Sequence, residues 1–151
     1  SQKGGAGNSL GRIVFRFQNN FSVYLHDTNN HAAFKRERRL LSHGCIRVEH
    51  PFELACFLMP DMDERTQDQL RVSMDIPPET DEFKDYLEEH AEDPQPHRLI
   101  TYRKVSPAVP VYLIYYTAYP NPETGAVELW PDYYGYDAAI SREIGQFLLK
   151  K

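Results

Sequence analysis

The chain is poor in cysteine and tryptophan, with two and one in 151 residues, and it has no long apolar run and no excess of positive charge. Two cysteines exclude a disulfide scaffold and allow one bridge at most. Cys45 sits among polar residues, whereas Cys56 lies in the apolar run Phe52-Glu53-Leu54-Ala55-Cys56-Phe57-Leu58-Met59, where a thiol behaves as a small hydrophobe, so no bridge is expected. No apolar stretch approaches the roughly 20 residues that span a bilayer, and no basic-apolar-small leader opens the chain. The first eight residues, Ser1 to Asn8, are loop-like and say little about localisation. A formal charge of -5 argues against a nucleic-acid partner, since counterion release needs a concentrated basic surface. The basic cluster Lys35-Arg36-Glu37-Arg38-Arg39 is local and precedes Cys45 by a few residues. Repeats and low-complexity tracts are also lacking. A length of 151 residues with 41% hydrophobic and 13% aromatic content suits one globular domain.

Alternation over Ile13, Phe15 and Phe17, the turn signal Gln18-Asn19-Asn20, and alternation over Phe21, Val23 and Leu25 predict a hairpin-like pair of strands. Tyr24 and His26 then share a face, with His26 at the strand end and Asp27-Thr28-Asn29-Asn30 opening a loop. Helices are predicted from Pro51 to Met59, Asp61 to Arg71 and Asp81 to Ala91, with Pro51 suited to a first turn that needs no N–H. Glu92-Asp93-Pro94-Gln95-Pro96 reads as a loop. The acidic stretch 61–93 is read as a helical insertion or a lid. Val109 to Tyr119 is β-branched and aromatic throughout, the composition of a central strand, and its Tyr112, Tyr115, Tyr116 and Tyr119 read as strand packing rather than a sugar platform. Asn121-Pro122-Glu123-Thr124-Gly125 is a turn, Ala126 to Trp130 a returning strand, and Asp137 the expected cap of a last helix reaching about Leu149 with the stripe Ile140, Ile144, Phe147 and Leu148.

A cysteine becomes a nucleophile as its thiolate, so it needs a base or cationic neighbours and room for a carbonyl. Cys45 lies on a connection just before a helix and follows Gly44, which lets the backbone approach a substrate closely. His26 is the candidate base, and the adjacent His43 suits a supporting or oxyanion role. Arg36, Arg39 and Arg47 supply positive charge. A backbone carbonyl near Asp27 or Thr28 is the expected orienter of His26, with the Asp27 side chain a weaker candidate. A structural cysteine and a metal site from His26, His43, Cys45 and His50 are the rival readings; the spacing matches no familiar zinc pattern, and no cofactor is expected.

At Ser42-His43-Gly44-Cys45-Ile46-Arg47-Val48, preceded by Tyr24-Leu25-His26-Asp27-Thr28, the chain resembles the L,D-transpeptidase (YkuD-like) catalytic domain. Phe34 and Arg39 in the intervening loop, and Pro110-Val111 through Tyr116-Thr117-Ala118, extend the likeness to the larger periplasmic, Gram-negative branch. It covers 8–59 well and 109–136 more loosely, and it is nearly silent between them. The resemblance implies a mainly β fold with flanking helices (α+β), a β-sandwich whose first strands would lie upstream of this chain. That would expose a sheet edge and make a missing N-terminal segment of the same protein a partner. It implies that Cys45 attacks the third-residue carbonyl of a donor tetrapeptide stem of peptidoglycan, releasing D-alanine, and that an acceptor stem amine resolves the thioester into a 3-3 cross-link. His26 would be the base. His43 and Gly44 would shape the site, with the Cys45 N–H in the oxyanion hole, and Ser42, Arg47, Asp27, Tyr24 and Arg39 would lie on the oxyanion or substrate side. Many relatives carry asparagine at the position of Arg47. Carbapenems would acylate Cys45. An L,D-carboxypeptidase or amidase on the same Cys-His pair, and a non-catalytic peptidoglycan-binding module, are the alternatives.

Overall fold

Ile13 and Phe15 point to the same side of an extended segment, and both pack against a small core of Ala55, Leu70 and Met74. That packing fixes which face of the first sheet is buried. The computed structural model describes residues 7–41, 44–92, 100 and 102–148. The loops expected over 1–6 and 93–96, together with Ser42 and His43, lie outside the described residues. The chain divides into two compact units, 1–110 and 111–151.

In the first unit, β1 (Val14–Phe15), β2 (Leu25–His26) and β3 (Ile46–Arg47) form a three-stranded sheet in that order. β1 runs antiparallel to β2, with Val14 opposite His26 and Phe15 opposite Leu25. β2 runs parallel to β3, with Leu25 beside Ile46 and His26 beside Arg47. The β1–β2 connection is a wide loop built on Asn19, not a tight turn. The Asn19 amide oxygen accepts from Phe21 N at 3.0 Å and Val23 N at 3.1 Å, and its nitrogen donates to Val23 O at 2.7 Å and Phe17 O at 3.0 Å. Between β2 and β3 the chain makes a 3-10 turn, His31–Lys35, before the basic loop.

The helices follow their caps. Helix α1 (Pro51–Leu58) has Pro51 at its first position. Helix α2 (Glu64–Ser73) is capped by the Asp63 carboxylate, which accepts from Thr66 N at 2.7 Å. Helix α3 (Asp81–Glu89) is capped by the Thr80 hydroxyl, which accepts from Phe83 N at 3.3 Å. Fully buried Asp68 ties α2 to this cap, accepting from Glu79 N at 2.8 Å, Thr80 N at 2.9 Å and the Thr80 hydroxyl at 2.5 Å, with Arg71 Nη1 at 3.3 Å. Burial alone would push the Asp68 carboxyl up. The hydrogen bonds from Thr80 and Glu79 and the Arg71 charge outweigh it and hold the carboxyl below its ordinary range.

In the second unit, β4 (Ala118–Pro120) and β5 (Val127–Leu129) form an antiparallel hairpin around Asn121, whose amide oxygen accepts from Glu123 N at 2.8 Å and Thr124 N at 3.0 Å. The long strand expected over Val109 to Tyr119 is confined to its end. Residues 109–116 join no ladder among the described residues, Thr117 only accepts from Trp130 N at 2.7 Å at the end of the hairpin, and Tyr112 and Ile114 are 82% and 70% exposed. Composition gives a segment strand propensity, but a strand exists only against a partner, and three-residue β5 reaches only 118–120. Helix α4 (Tyr136–Leu148) starts one residue before the expected cap Asp137. The capping carboxylate is that of Asp132, which accepts from Asp137 N at 2.8 Å and from the Tyr115 hydroxyl at 2.9 Å. Four helices with two small sheets make an α+β chain in which helix exceeds strand among the described residues.

Candidate active site

Strand alternation and the two registers place Val14, Tyr24, His26 and Arg47 on the face of the sheet opposite Phe15, which packs on the core. Cys45 directly precedes β3 and extends the same alternation. The ladder continues through Ile46 N to Tyr24 O at 3.1 Å and Val48 N to His26 O at 2.8 Å, so Cys45 falls beside Tyr24, one diagonal step from His26. The parallel β2–β3 pairing thus brings two residues far apart in sequence to one edge of one face.

Cys45 is half-buried, and its Sγ lies 4.0 Å from Ser22 O. Gly44 has φ +137°, a conformation that a side chain strains, while the space its Cβ would take is open to 3.5 Å from Val23 Cγ2. Glycine is therefore demanded at 44 by the backbone, not by crowding. Ser22, whose φ is +53°, turns its carbonyl towards the thiol. No sequence signal marked it.

His26 is 4% exposed and meets the Tyr24 ring edge-on at 6.0 Å between centroids. Its Nδ1 makes a very short hydrogen bond to Asp27 O. A carbonyl can only accept, so Nδ1 carries the proton and Nε2 keeps the lone pair that a base needs. Asp27 is 3% exposed and Thr28 1%. The Asp27 carboxylate accepts from Arg12 N at 2.9 Å and Thr28 N at 2.7 Å, and His31 Nε2 lies 3.7 Å from its Oδ1.

Of the other predicted residues, Arg47 is half-buried and its Nη2 reaches Leu41 O at 3.4 Å, while its buried Nε meets no hydrogen-bond partner among the described residues. Arg39 is exposed and donates through Nε to Arg36 O at 3.0 Å. The described contacts do not bring it to Cys45. Cys56 belongs to α1, away from this face, and burial raises its thiol against the opposing Arg71 charge.

Residues 1–64 match the sequence profile of the L,D-transpeptidase catalytic domain, the YkuD family. A protein of Haemophilus influenzae named "Putative L,D-transpeptidase" is 32% identical over 148 residues, 97% of this chain and 25% of the relative. The chain thus spans about a quarter of the length of the curated relative it matches. Residues 1–64, which hold both His26 and Cys45, thus match the L,D-transpeptidase catalytic-domain family, and the similarity to the Haemophilus influenzae protein runs along most of the chain.

Proposed function

We propose that Cys45 and His26 perform L,D-transpeptidation on peptidoglycan stem peptides and form 3-3 cross-links. The observation that carries this reading is the shared sheet face of Cys45 and His26, with Nδ1 of His26 committed to Asp27 O and Nε2 left for proton transfer. His26 takes the thiol proton, and Sγ attacks the third-residue carbonyl of a donor tetrapeptide stem. The bond to D-alanine breaks and its nitrogen takes the proton back from His26. The thioester is then attacked by the side-chain amine of an acceptor stem, whose proton passes to His26 as Sγ leaves. Half-buried Arg47, next to His26 in the register, is suited to a substrate carboxylate.

The test is incubation of the protein with disaccharide-tetrapeptide muropeptides and mass analysis of the products. A dimer lighter by one D-alanine than two monomers is expected, with that D-alanine released free. Tripeptide without dimer would assign the site to an L,D-carboxypeptidase, and unchanged substrate with a folded protein would leave a binding module. We place the reaction in the periplasm, because stems are cross-linked outside the cytoplasmic membrane; fractionation of the full-length protein should find it there, and a cytosolic protein would refute this. We further propose that the chain acts as one catalytic domain whose sheets become a β-sandwich when an upstream segment of the same protein pairs with residues 109–117. Their exposure and β-rich composition support that pairing. Protection of the amides of 109–117 from exchange should appear only when the upstream segment is present.

A further inference from the structure

Asp27 is a buried carboxylate for which the reaction has no use, and an unused buried charge calls for a reason. The reason lies in one peptide plane. The bond between Asp27 and Thr28 has two polar ends: its C=O accepts from His26 Nδ1, and its N–H donates to Asp27 Oδ1 at 2.7 Å. The same side chain reaches across with Oδ2 to Arg12 N at 2.9 Å, and Asp27 N donates to Ile13 O at 2.9 Å. The residue is therefore held on the β1 side by two hydrogen bonds, while its carboxylate holds the N–H end of the plane that aims the C=O at the imidazole. Gly11 makes the approach of Asp27 feasible. A Cβ at 11 would stand 2.2 Å from Asp27 Oδ2, and the φ of +61° there independently favours glycine.

We propose that Gly11 and the Asp27 side chain form a lock on the Asp27–Thr28 peptide plane, and that through this plane Asp27 is a positioning residue that fixes the tautomer and ring orientation of His26. Asparagine at 27 has one acceptor oxygen for two backbone N–H donors and sets an NH2 group against the other. The plane then loses one anchor, either at Thr28 or at Arg12. The part of the inference that concerns catalysis rests on His26 being the base of the proposed transpeptidation, whereas the part that concerns the tautomer does not.

The experiment is nitrogen NMR of the 15N-histidine-labelled 151-residue chain above the titration of its imidazoles, paired with D-alanine release from a tetrapeptide stem, for wild type, Asp27→Asn and Gly11→Ala. Wild type should show His26 protonated on Nδ1. Both variants should show a mixed or Nε2-protonated His26, with kcat for D-alanine release lowered about 10- to 100-fold, KM little changed, and the rising limb of the pH–rate profile displaced. An unchanged Nδ1–H tautomer and an unchanged rate in a folded Asp27→Asn variant would overturn the proposal. If a variant does not fold, wild type still decides: a protected Thr28 amide with an Nδ1–H His26 supports the lock, and a freely exchanging Thr28 amide refutes it. A tautomer change in a chain that releases no D-alanine either alone or with the upstream segment supplied would uphold the lock and sink the transpeptidase reading.

Discussion

Replacement of Asp68 by asparagine should destabilise the first unit more than any other single change of a polar side chain to its near-isostere. The carboxylate is fully buried and accepts from Glu79 N, Thr80 N and the Thr80 hydroxyl at 2.5 to 2.9 Å, with Arg71 at 3.3 Å. Asparagine keeps the shape but offers one acceptor, places its NH2 against a backbone donor, and leaves the Arg71 charge without its buried counterpart. A hydrogen bond to a charged group contributes roughly 1.5–3 kcal/mol and an unsatisfied buried donor costs about 1–3 kcal/mol, so a loss of about 2–4 kcal/mol is expected. At roughly 4 °C per kcal/mol for a unit of this size, the melting temperature should fall by about 8–16 °C. The folded carboxyl lies below its unfolded value of about 3.9, so its contribution is present above that pH and fades as pH falls through the folded value. Thermal melts followed by circular dichroism at pH 7 and again near pH 3 should therefore show the gap between wild type and Asp68→Asn narrowing in acid. A gap below about 1 kcal/mol at pH 7, or one independent of pH, would refute this account of the α2–α3 junction.

Other changes test neighbouring features. Phe83→Ala removes a ring that is 1% exposed, lies 5.3 Å from the Tyr86 ring and sits under the Arg65 guanidinium, and it should cost about 3–5 kcal/mol in denaturant unfolding; a cost under 1 kcal/mol would contradict the packing. Cys56 should react with iodoacetamide more slowly than free cysteine at pH 7.5, with a rate still climbing above pH 9, because burial disfavours its thiolate; peptide mapping reads this, and a rate equal to that of free cysteine would count against it. Gly44→Ala forces a side chain onto φ +137° and should cost about 1–3 kcal/mol by thermal melting, a loss that open space around the Cβ cannot relieve.

How far the sequence could be read depended on whether the signal was local. Pro51 marks a helix start because the N–H it lacks is not needed there, and the first three helices stand within about three residues of their expected bounds, although the side-chain caps Asp63 and Thr80 were not singled out. The last helix shows the limit. Asp137 has the right residue type, but Asp132 reaches the helix start from a turn, and its spacing is set by Tyr133 to Gly135 rather than by any cap pattern. Residues 109–117 have strand composition without a strand, since pairing depends on a partner that propensity cannot supply. In the site, His26 at a strand end and Cys45 after a glycine were readable from alternation and residue type, and so was a carbonyl near Asp27 as the acceptor for His26. Parallel pairing of β2 with β3, the Ser22 carbonyl beside the thiol, and the approach of Asp27 to Gly11 arise from long-range geometry and leave no local trace.

The central claim is that Cys45 is an acyl-accepting nucleophile. Intact-mass analysis after incubation with a carbapenem, for wild type and Cys45→Ala, tests it most directly. The account predicts one stable adduct on wild type, mapped to the Cys45 peptide, and none on Cys45→Ala, with Cys56 unmodified in both. An adduct that persists in folded Cys45→Ala, or none on folded wild type, would contradict it.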